Sequence, residues 1–427
     1  MISSSIQVKR IKACKGIAVS RLSVVYVVLT AITFFSLVYG WVPFLNKQAY
    51  IAIIAILVSL IISPKYFTSK QFFISFFYAI IVWINAQRGD EYTFDKTIMD
   101  GLLLGMSGSL SFYLMESDDQ KAKKWISILV MLIVIIQTVP SLLMYIVSQE
   151  TIRSFIDLIY HGDEEMDWMN LYRMGILNYD VTHSLPMLVP PIMMWLRTKG
   201  ASKIWKLFCA VSLMCVIVLC YIYDVTTVQL LVFFSIVVSF LIYPNQNKAN
   251  RQRLIIATVL ILPFMFSTTL QDGVLSGVEK ISEGQLKDKI ADARYNLTHD
   301  SNTGDMANRS EQYMLSLDSF IKSPIWGTDD DNKIGFHSAI FDRMGAFGLL
   351  GIVPFLIILF LCVKECRVNM SISSRWYFII CIICFLTLLL LKNMSRLEEW
   401  MMFFVVAPSL LTLNRESFKY SRGKSNP

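Results

Sequence analysis

Charge is scarce in this sequence. Only 17% of its 427 residues are Asp, Glu, Lys or Arg, against roughly 25% in a soluble domain, while 55% are hydrophobic. So little polar surface excludes an ordinary water-soluble protein. Familiar chemical motifs are missing as well: the chain has no P-loop, no dinucleotide fingerprint and no zinc motif. It also lacks an internal repeat, a low-complexity tract and a second domain. Cysteine occurs eight times but without the spacing of a disulfide framework. Cys209, Cys215, Cys220, Cys381 and Cys384 lie inside apolar runs, and Cys14, Cys362 and Cys366 fall on the side predicted to be cytoplasmic. Cys381 and Cys384 have CxxC spacing, but FIICIICFLTLLL supplies no second ligand pair, so they read as packed or lipid-facing small residues.

Long apolar runs are abundant. A hydrocarbon core of about 30 Å needs about 20 apolar residues per helix. Such runs fall near 22–40, 49–63, 71–85, 97–115, 125–147 and 174–196, then 204–221, 226–243, 254–270, 338–363, 376–391 and 397–413. The expected fold class is an all-α polytopic membrane protein of about twelve transmembrane helices, forming one integral membrane domain over 1–427. Lys9, Arg10, Lys12, Lys15 and Arg21 precede the first run and no small-residue cleavage site closes it, so it reads as a retained helix. The sixth carries Asn178, Asp180, His183, Pro186, Pro190 and Pro191, the composition of a tilted or broken span.

Orientation follows from basic residues. With the N-terminus inside, the inside segments hold 24 of the 39 Lys and Arg. Of the 15 outside, seven belong to a segment too long for the bias to be informative, leaving 8 against 24. Both termini are predicted to be cytoplasmic. Two extracytoplasmic segments are long, 148–172 and above all 271–336, and a long loop is a functional one by default. Within the longer, Arg309 to Ile321 sets Tyr313, Leu317 and Phe320 at amphipathic spacing before a break at Ser323-Pro324, which predicts a surface helix.

Arginine at a bilayer edge is costly and faces a polar cavity or snorkels to headgroups. Arg173, Arg309, Arg343 and Arg396 all fall at outside helix ends or in the large loop, as does His337. With Arg294, Lys392 and His183 they would line one basic, outward-opening pocket suited to phosphate or pyrophosphate. Each also has a plainer reading: headgroup contact for the arginines, a satisfied interfacial histidine for His337, and polar contacts within the sixth helix for His183. Asp329, Asp330 and Asp331 read as a solvated turn after Gly327 in preference to a metal site. Asp224, Glu398 and Glu399 read as structural counter-charges.

The stretch Asn308 to Phe355 resembles the signature region of the O-antigen ligase and O-antigen polymerase superfamily. In that family an Arg opens an extracytoplasmic amphipathic helix that ends at a Pro-x-x-Gly turn. A His then begins the next membrane helix, followed by Gly-x-x-Gly. Here these are Arg309, Pro324 with Gly327, His337, and Gly345 with Gly348, with Ser338 where Asn is usual and Asp329 where the turn often has a second Gly. The segment Tyr172 to Pro190 is similar to the family's Arg-x-x-Gly segment, with Arg173, Gly175 and Asn178.

The resemblance implies a GT-C-like membrane glycosyltransferase of the bacterial plasma membrane, metal-independent, inverting and without a cofactor. Its donor and acceptor would be undecaprenyl-diphosphate-linked oligosaccharides, with membrane lipids, a chain-length regulator and a flippase as partners and no nucleic acid. Arg309 and Arg173 would hold the diphosphate, Arg343 and Arg294 would assist, and His337 would deprotonate or orient the acceptor hydroxyl. Three other readings stay open: a ligase using the same donor, a lipid-linked oligosaccharide flippase, and a scaffold. Charges gathered at one face favour an enzyme over a transporter, whose basic residues would sit near the midplane.

Overall fold

The computed structural model describes residues 23–35, 48–87, 94–152, 173–177, 179–242, 304–328, 330–392 and 397–413, with isolated positions at 155, 171 and between 249 and 295. Helices stand over all the apolar runs named above except 254–270, which lies outside the described residues. They are α1 (Ser23–Phe34), α2 (Gln48–Ile62), α3 (Lys70–Ala86), α4 (Phe94–Ser117), α5 (Gln120–Ser148) and α6 (Tyr179–Arg197). Then follow α7 (Lys203–Tyr223), α8 (Thr226–Leu241), α9 (Gly304–Lys322), α10 (Ala339–Val368), α11 (Ile372–Leu391) and α12 (397–412). No strand occurs among the described residues.

Four of these, α5, α7, α10 and α11, are long and apolar enough to cross a membrane. Leu143, Val147, Ile204, Leu207 and Phe360 stand exposed on them, an outer surface that suits lipid rather than water. The chain is a helical membrane protein.

Helix starts share one device. Ser69, Ser202 and Ser371 each accept a hydrogen bond from the amide three residues on, and Asp119 accepts from Lys121 and Ala122 at 3.1 and 3.0 Å. These caps satisfy N–H groups that a helix cannot bond internally.

α3 packs on α4 and α10, and α2 on α4, while α6 packs on α7, α8 and α11. Between the two groups runs α12, buried at every residue from Leu397 to Leu411. Beyond Glu398 and Glu399 in its first turn the helix is apolar almost all round, and such a helix belongs in a core. Phe403 stacks on Phe385 with ring centroids 4.0 Å apart, and Trp400 meets Phe355 and Phe385 edge-on. Over Met402–Val406 the helix widens into a π turn just before Pro408, whose missing N–H cannot continue the regular ladder.

α6 contains Pro186, Pro190 and Pro191 and is still a continuous helix. Pro190 and Pro191 have no N–H for the carbonyls four residues back, those of Pro186 and Met187. Ser235 Oγ of α8 donates to the first at 3.2 Å, and Cys381 Sγ of α11 to the second at 3.3 Å. Neighbouring helices thus supply the donors that the prolines lack. Cys384 Sγ lies 3.0 Å from the same Ser235 Oγ, so the CxxC pair serves packing and hydrogen bonding.

The sixth span begins later than its hydropathy suggests, at Tyr179 and not 174. Gly175 adopts φ +79°, and the Ile176 amide turns back to the Leu171 carbonyl at 3.2 Å, closing the preceding helical turn.

Candidate active site

α9 lies against the first turns of α10. Tyr313, Leu317 and Phe320, at amphipathic spacing in the sequence, are half-buried, and the buried positions beside them are Ser316 and Ser319. Small residues are central because the backbones approach closely. A Cβ on Gly345 would stand 2.7 Å from the Ser316 carbonyl oxygen, and one on Gly335 only 2.1 Å from that of Gln312. Tyr313 reaches over the rim, its ring 5.8 Å from that of Phe341 and its hydroxyl 3.4 Å from the Leu391 carbonyl.

After α9, the turn Pro324 to Gly327 folds onto a break in α10 at Gly348, whose φ of +59° and ψ of −157° are not helical. The break separates two helical hydrogen-bond pairs, and all four groups find other partners. Leu349 N–H donates to Pro324 C=O at 2.7 Å and Leu350 N–H to Ile325 C=O at 3.2 Å. Gly345 C=O accepts from Thr328 N–H at 2.8 Å, and Ala346 C=O accepts from the Asn85 side-chain amide of α3. Buried backbone polar groups have to be paired, and here turn and break complete each other. Gly327 needs its φ of +76°, and a Cβ on it would lie 2.4 Å from the Ala346 carbonyl.

Between turn and helix runs the segment that carries His337. Ser338 caps α10, its Oγ accepting from Phe341 N–H at 3.2 Å, while Asp342 Oδ2 reaches back to Ser338 N–H at 2.9 Å. This is a reciprocal capping box with the acid one residue further on than usual. The other carboxylate oxygen, Asp342 Oδ1, accepts from Ser316 Oγ at 2.8 Å, and Ser316 Oγ accepts from Gly335 N–H at 2.9 Å. The chain is therefore pinned on both sides of half-buried His337, which lies just ahead of the cap and not in the first helical turn. Ala339 N–H donates to the Lys392 carbonyl at 2.9 Å, which joins the end of α11 to this point.

The other expected site residues divide. Arg309 falls in α9, one turn ahead of Tyr313, with its side chain outside the described set. Arg173 is exposed on the short helical stretch before Gly175. Arg294 is ion-paired with Glu279 within the large loop. Arg343 is 5% exposed and turned inward: Nε donates to the Tyr78 hydroxyl at 3.3 Å, Nη1 to the Ala339 carbonyl at 2.9 Å, and the guanidinium carbon lies 4.7 Å from the Phe355 ring centre. Those contacts place it between α3 and α10. Arg396, Asn178 and Asp329, and the side chains of Asp180 and Asp331, lie outside the described residues.

His183 of α6 is buried with Nδ1 3.7 Å from Glu399 Oε1 in the first turn of α12, and Glu398 beside it is fully buried. Asp224 caps α7 in the left-handed conformation and accepts from Gln229 Nε2 at 3.2 Å. Asp330 accepts from the Asn332 amide at 3.0 Å and pairs with Lys333 at 2.9 Å, contacts that hold its carboxyl below the usual range. It is a solvated turn. No group of three or more metal-ligating side chains occurs among the described residues.

The chain matches no family model, no curated protein and no solved structure. Its site has to be read from its own residues. Sequence reasoning missed Ser316, Asp342, Asn85 and Tyr78. Ser338 followed by an acid in the first turn is a readable cap signal, but the pairing of Ser316 with Asp342 spans 26 residues and only the fold reveals it.

Proposed function

We propose that the chain is a polysaccharide repeat-unit polymerase of the bacterial plasma membrane, with about twelve spans, both termini cytoplasmic and the α9 end facing outward. It transfers a growing glycan from undecaprenyl diphosphate to an incoming lipid-linked repeat unit. The observation that carries this reading is the unit formed around His337. The Pro-x-x-Gly turn, the histidine and the Gly-x-x-Gly element have the order of the polymerase and ligase signature, and the turn and the glycine break share reciprocal backbone hydrogen bonds.

The chemistry runs as one displacement. An acceptor hydroxyl attacks the anomeric carbon, the bond to the diphosphate oxygen breaks, and undecaprenyl diphosphate leaves as an anion. His337 takes the hydroxyl proton. Arg309 and Arg173 stabilise the charge on the leaving diphosphate, staying ionised at any working pH. Arg343, hydrogen-bonded to Tyr78 and the Ala339 carbonyl, and Arg294, ion-paired with Glu279, are second-tier phosphate contacts in this reading.

The test is deletion in the host and complementation with wild type, Arg309→Ala or His337→Ala at matched membrane levels, followed by sizing of the surface glycan. Single repeat units in the deletion and both variants, with a loss of roughly a hundredfold in polymerisation, support the reading. Long chains persisting on the lipid carrier point to a ligase, which shares the donor half of the site. Repeat units held in the cytoplasmic leaflet, or unchanged surface glycan, overturn the proposal.

A further inference from the structure

α10 is longer than a membrane is thick. It runs for 30 residues, Ala339–Val368, on the order of 45 Å at 1.5 Å per residue, against about 30 Å of hydrocarbon. Its charges show which part lies in lipid: between Arg343 and Lys364 stand 20 residues, Met344 to Val363, without one Asp, Glu, Lys or Arg. That run fits the about 20 residues a span requires. It sets the hydrocarbon boundary on the His337 side near Met344.

α9 does not stop at that boundary. Its contacts descend α10 in step with the chain: the Tyr313 ring meets Phe341, Ser316 Oγ meets Asp342, and the Ser316 carbonyl crowds Gly345. The turn beyond it is lower again, the Pro324 and Ile325 carbonyls accepting from the Leu349 and Leu350 amides. Thr328 N–H then bonds back to the Gly345 carbonyl, and Ser319 Oγ donates to the Lys333 carbonyl, as the chain climbs to His337. The tip of this hairpin stands level with residues 346–350, roughly 3–9 Å on the hydrocarbon side of Met344. Non-helical backbone at such a depth needs protein partners. The Pro324 and Ile325 carbonyls have them, and the Gly327 amide donates to the Ser323 carbonyl at 2.8 Å.

The residues at the tip suit its level. From Ser323 to Thr328 the sequence is SPIWGT, uncharged, with Lys322 before it and Asp329 after it. Pro324, Ile325 and Trp326 are exposed, as is Ile321 one turn earlier. Lys322 carries its ammonium away from the tip to Asp318, four residues back, as a lysine at a bilayer edge snorkels. This apolar surface is continuous with the lipid-facing side of α10. Leu349, whose amide holds Pro324, is exposed, and Val353, Leu356 and Phe360 follow it at helical spacing, exposed as well.

We propose that the tip of this hairpin, Pro324 to Trp326 together with Ile321, is inserted among the acyl chains of the leaflet on the His337 side, with the Trp326 ring just below the headgroups. α9 is then the descending arm of a re-entrant hairpin and not a helix lying flat on the membrane. Its tip fixes the depth of the segment that bears His337. The inference rests on the membrane reading of the chain and is independent of the glycan transfer.

The experiment reconstitutes the full-length protein in bilayer nanodiscs and takes the emission of Trp326 as the difference between wild type and Trp326→Phe. Quenching is measured with phosphatidylcholine brominated in the upper or the lower half of its chains, and with water-soluble acrylamide. Asn332→Trp, at an exposed position on the returning segment, is the control in water. The expected result is that upper-chain bromine quenches Trp326 several-fold more than lower-chain bromine, while acrylamide quenches it several-fold less than the control. Acrylamide quenching equal to the control, with no effect of bromine, puts the tip in water and overturns the proposal. Protection from both quenchers means that protein covers the tip, a second copy of the chain included, and overturns it equally. Wild-type protein photolabelled by a lipid with a diazirine high in its chain gives an answer without any substitution: label within 321–326 supports insertion, and label on the spanning helices alone overturns it. Glycan length in the host reports separately on the transferase reading.

Discussion

Leu349 donates its amide hydrogen to the carbonyl of Pro324 at 2.7 Å, across the break that Gly348 makes in α10. The turn 324–327 and the start of the second half of α10 thereby act as one piece of backbone. The arrangement depends on a residue with no side chain, because a Cβ at 348 would stand 2.4 Å from the Ile325 carbonyl oxygen.

Gly348→Ala should therefore destabilise the protein by about 1–3 kcal/mol from backbone strain alone, with the steric clash adding to it. Gly200 has φ +87° but open space around it, so Gly200→Ala should cost only the strain. Melting in detergent of the two variants side by side checks this. Equal melting temperatures would contradict the role given to the turn.

Ser316→Ala leaves the Gly335 amide and one Asp342 oxygen without their partner. A loss of about 1–3 kcal/mol follows from the unsatisfied groups. On the proposed polymerase reading, glycan length should fall with it, since the segment bearing His337 loses one of its anchors. Asp342→Ala should be worse, freeing the Ser338 amide too. A Ser316→Ala variant with wild-type stability and wild-type chains would remove this network from the mechanism.

Cys381→Ser preserves a donor for the Met187 carbonyl, and Cys381→Val removes it. The serine variant should melt near wild type and the valine variant lower, by about 1–3 kcal/mol. Treatment with a thiol reductant should change nothing. An activity that depended on the redox state of this pair would refute the packing assignment.

Lys333, and after it the Asn332 amide, hold the Asp330 carboxyl below its ordinary range. The folded value being the lower one, this stabilisation is present above the unfolded value, roughly pH 4, and disappears as pH falls through the lowered one. The small gap in melting temperature between wild type and Asp330→Asn should thus close on acidification. A gap that widened instead would have the wrong sign for a surface ion pair.

The helices were legible because a bilayer demands long apolar runs, and α5, α7, α10 and α11 sit where hydropathy puts them. Which helix is central was not legible: the run 397–413 is no more apolar than its neighbours, and only packing shows that lipid never touches it. The inward turn of Arg343 was not legible for a related reason. Its position near an outside helix end suits a phosphate ligand as well as a buried partner of Tyr78, and sequence carries no rotational information about α10 that would separate the two. On α9 the spacing of Tyr313, Leu317 and Phe320 was legible, but the burial of Ser316 and Ser319 beside them was not, because it depends on a glycine-lined neighbour that only the fold supplies.

The burial of α12 also orders events during synthesis. Translation proceeds from the N-terminus, so every other described helix is made and inserted before the segment they surround exists. Until residues 397–412 emerge, Phe378 and Phe385 lack the rings of Trp400 and Phe403 that they pack against, and Glu398 and Glu399 must pass into a space already walled by α4 and α6. Assembly finishes from its centre. A ribosome that stalls before Leu397 leaves a hollow set of helices for membrane quality control to find.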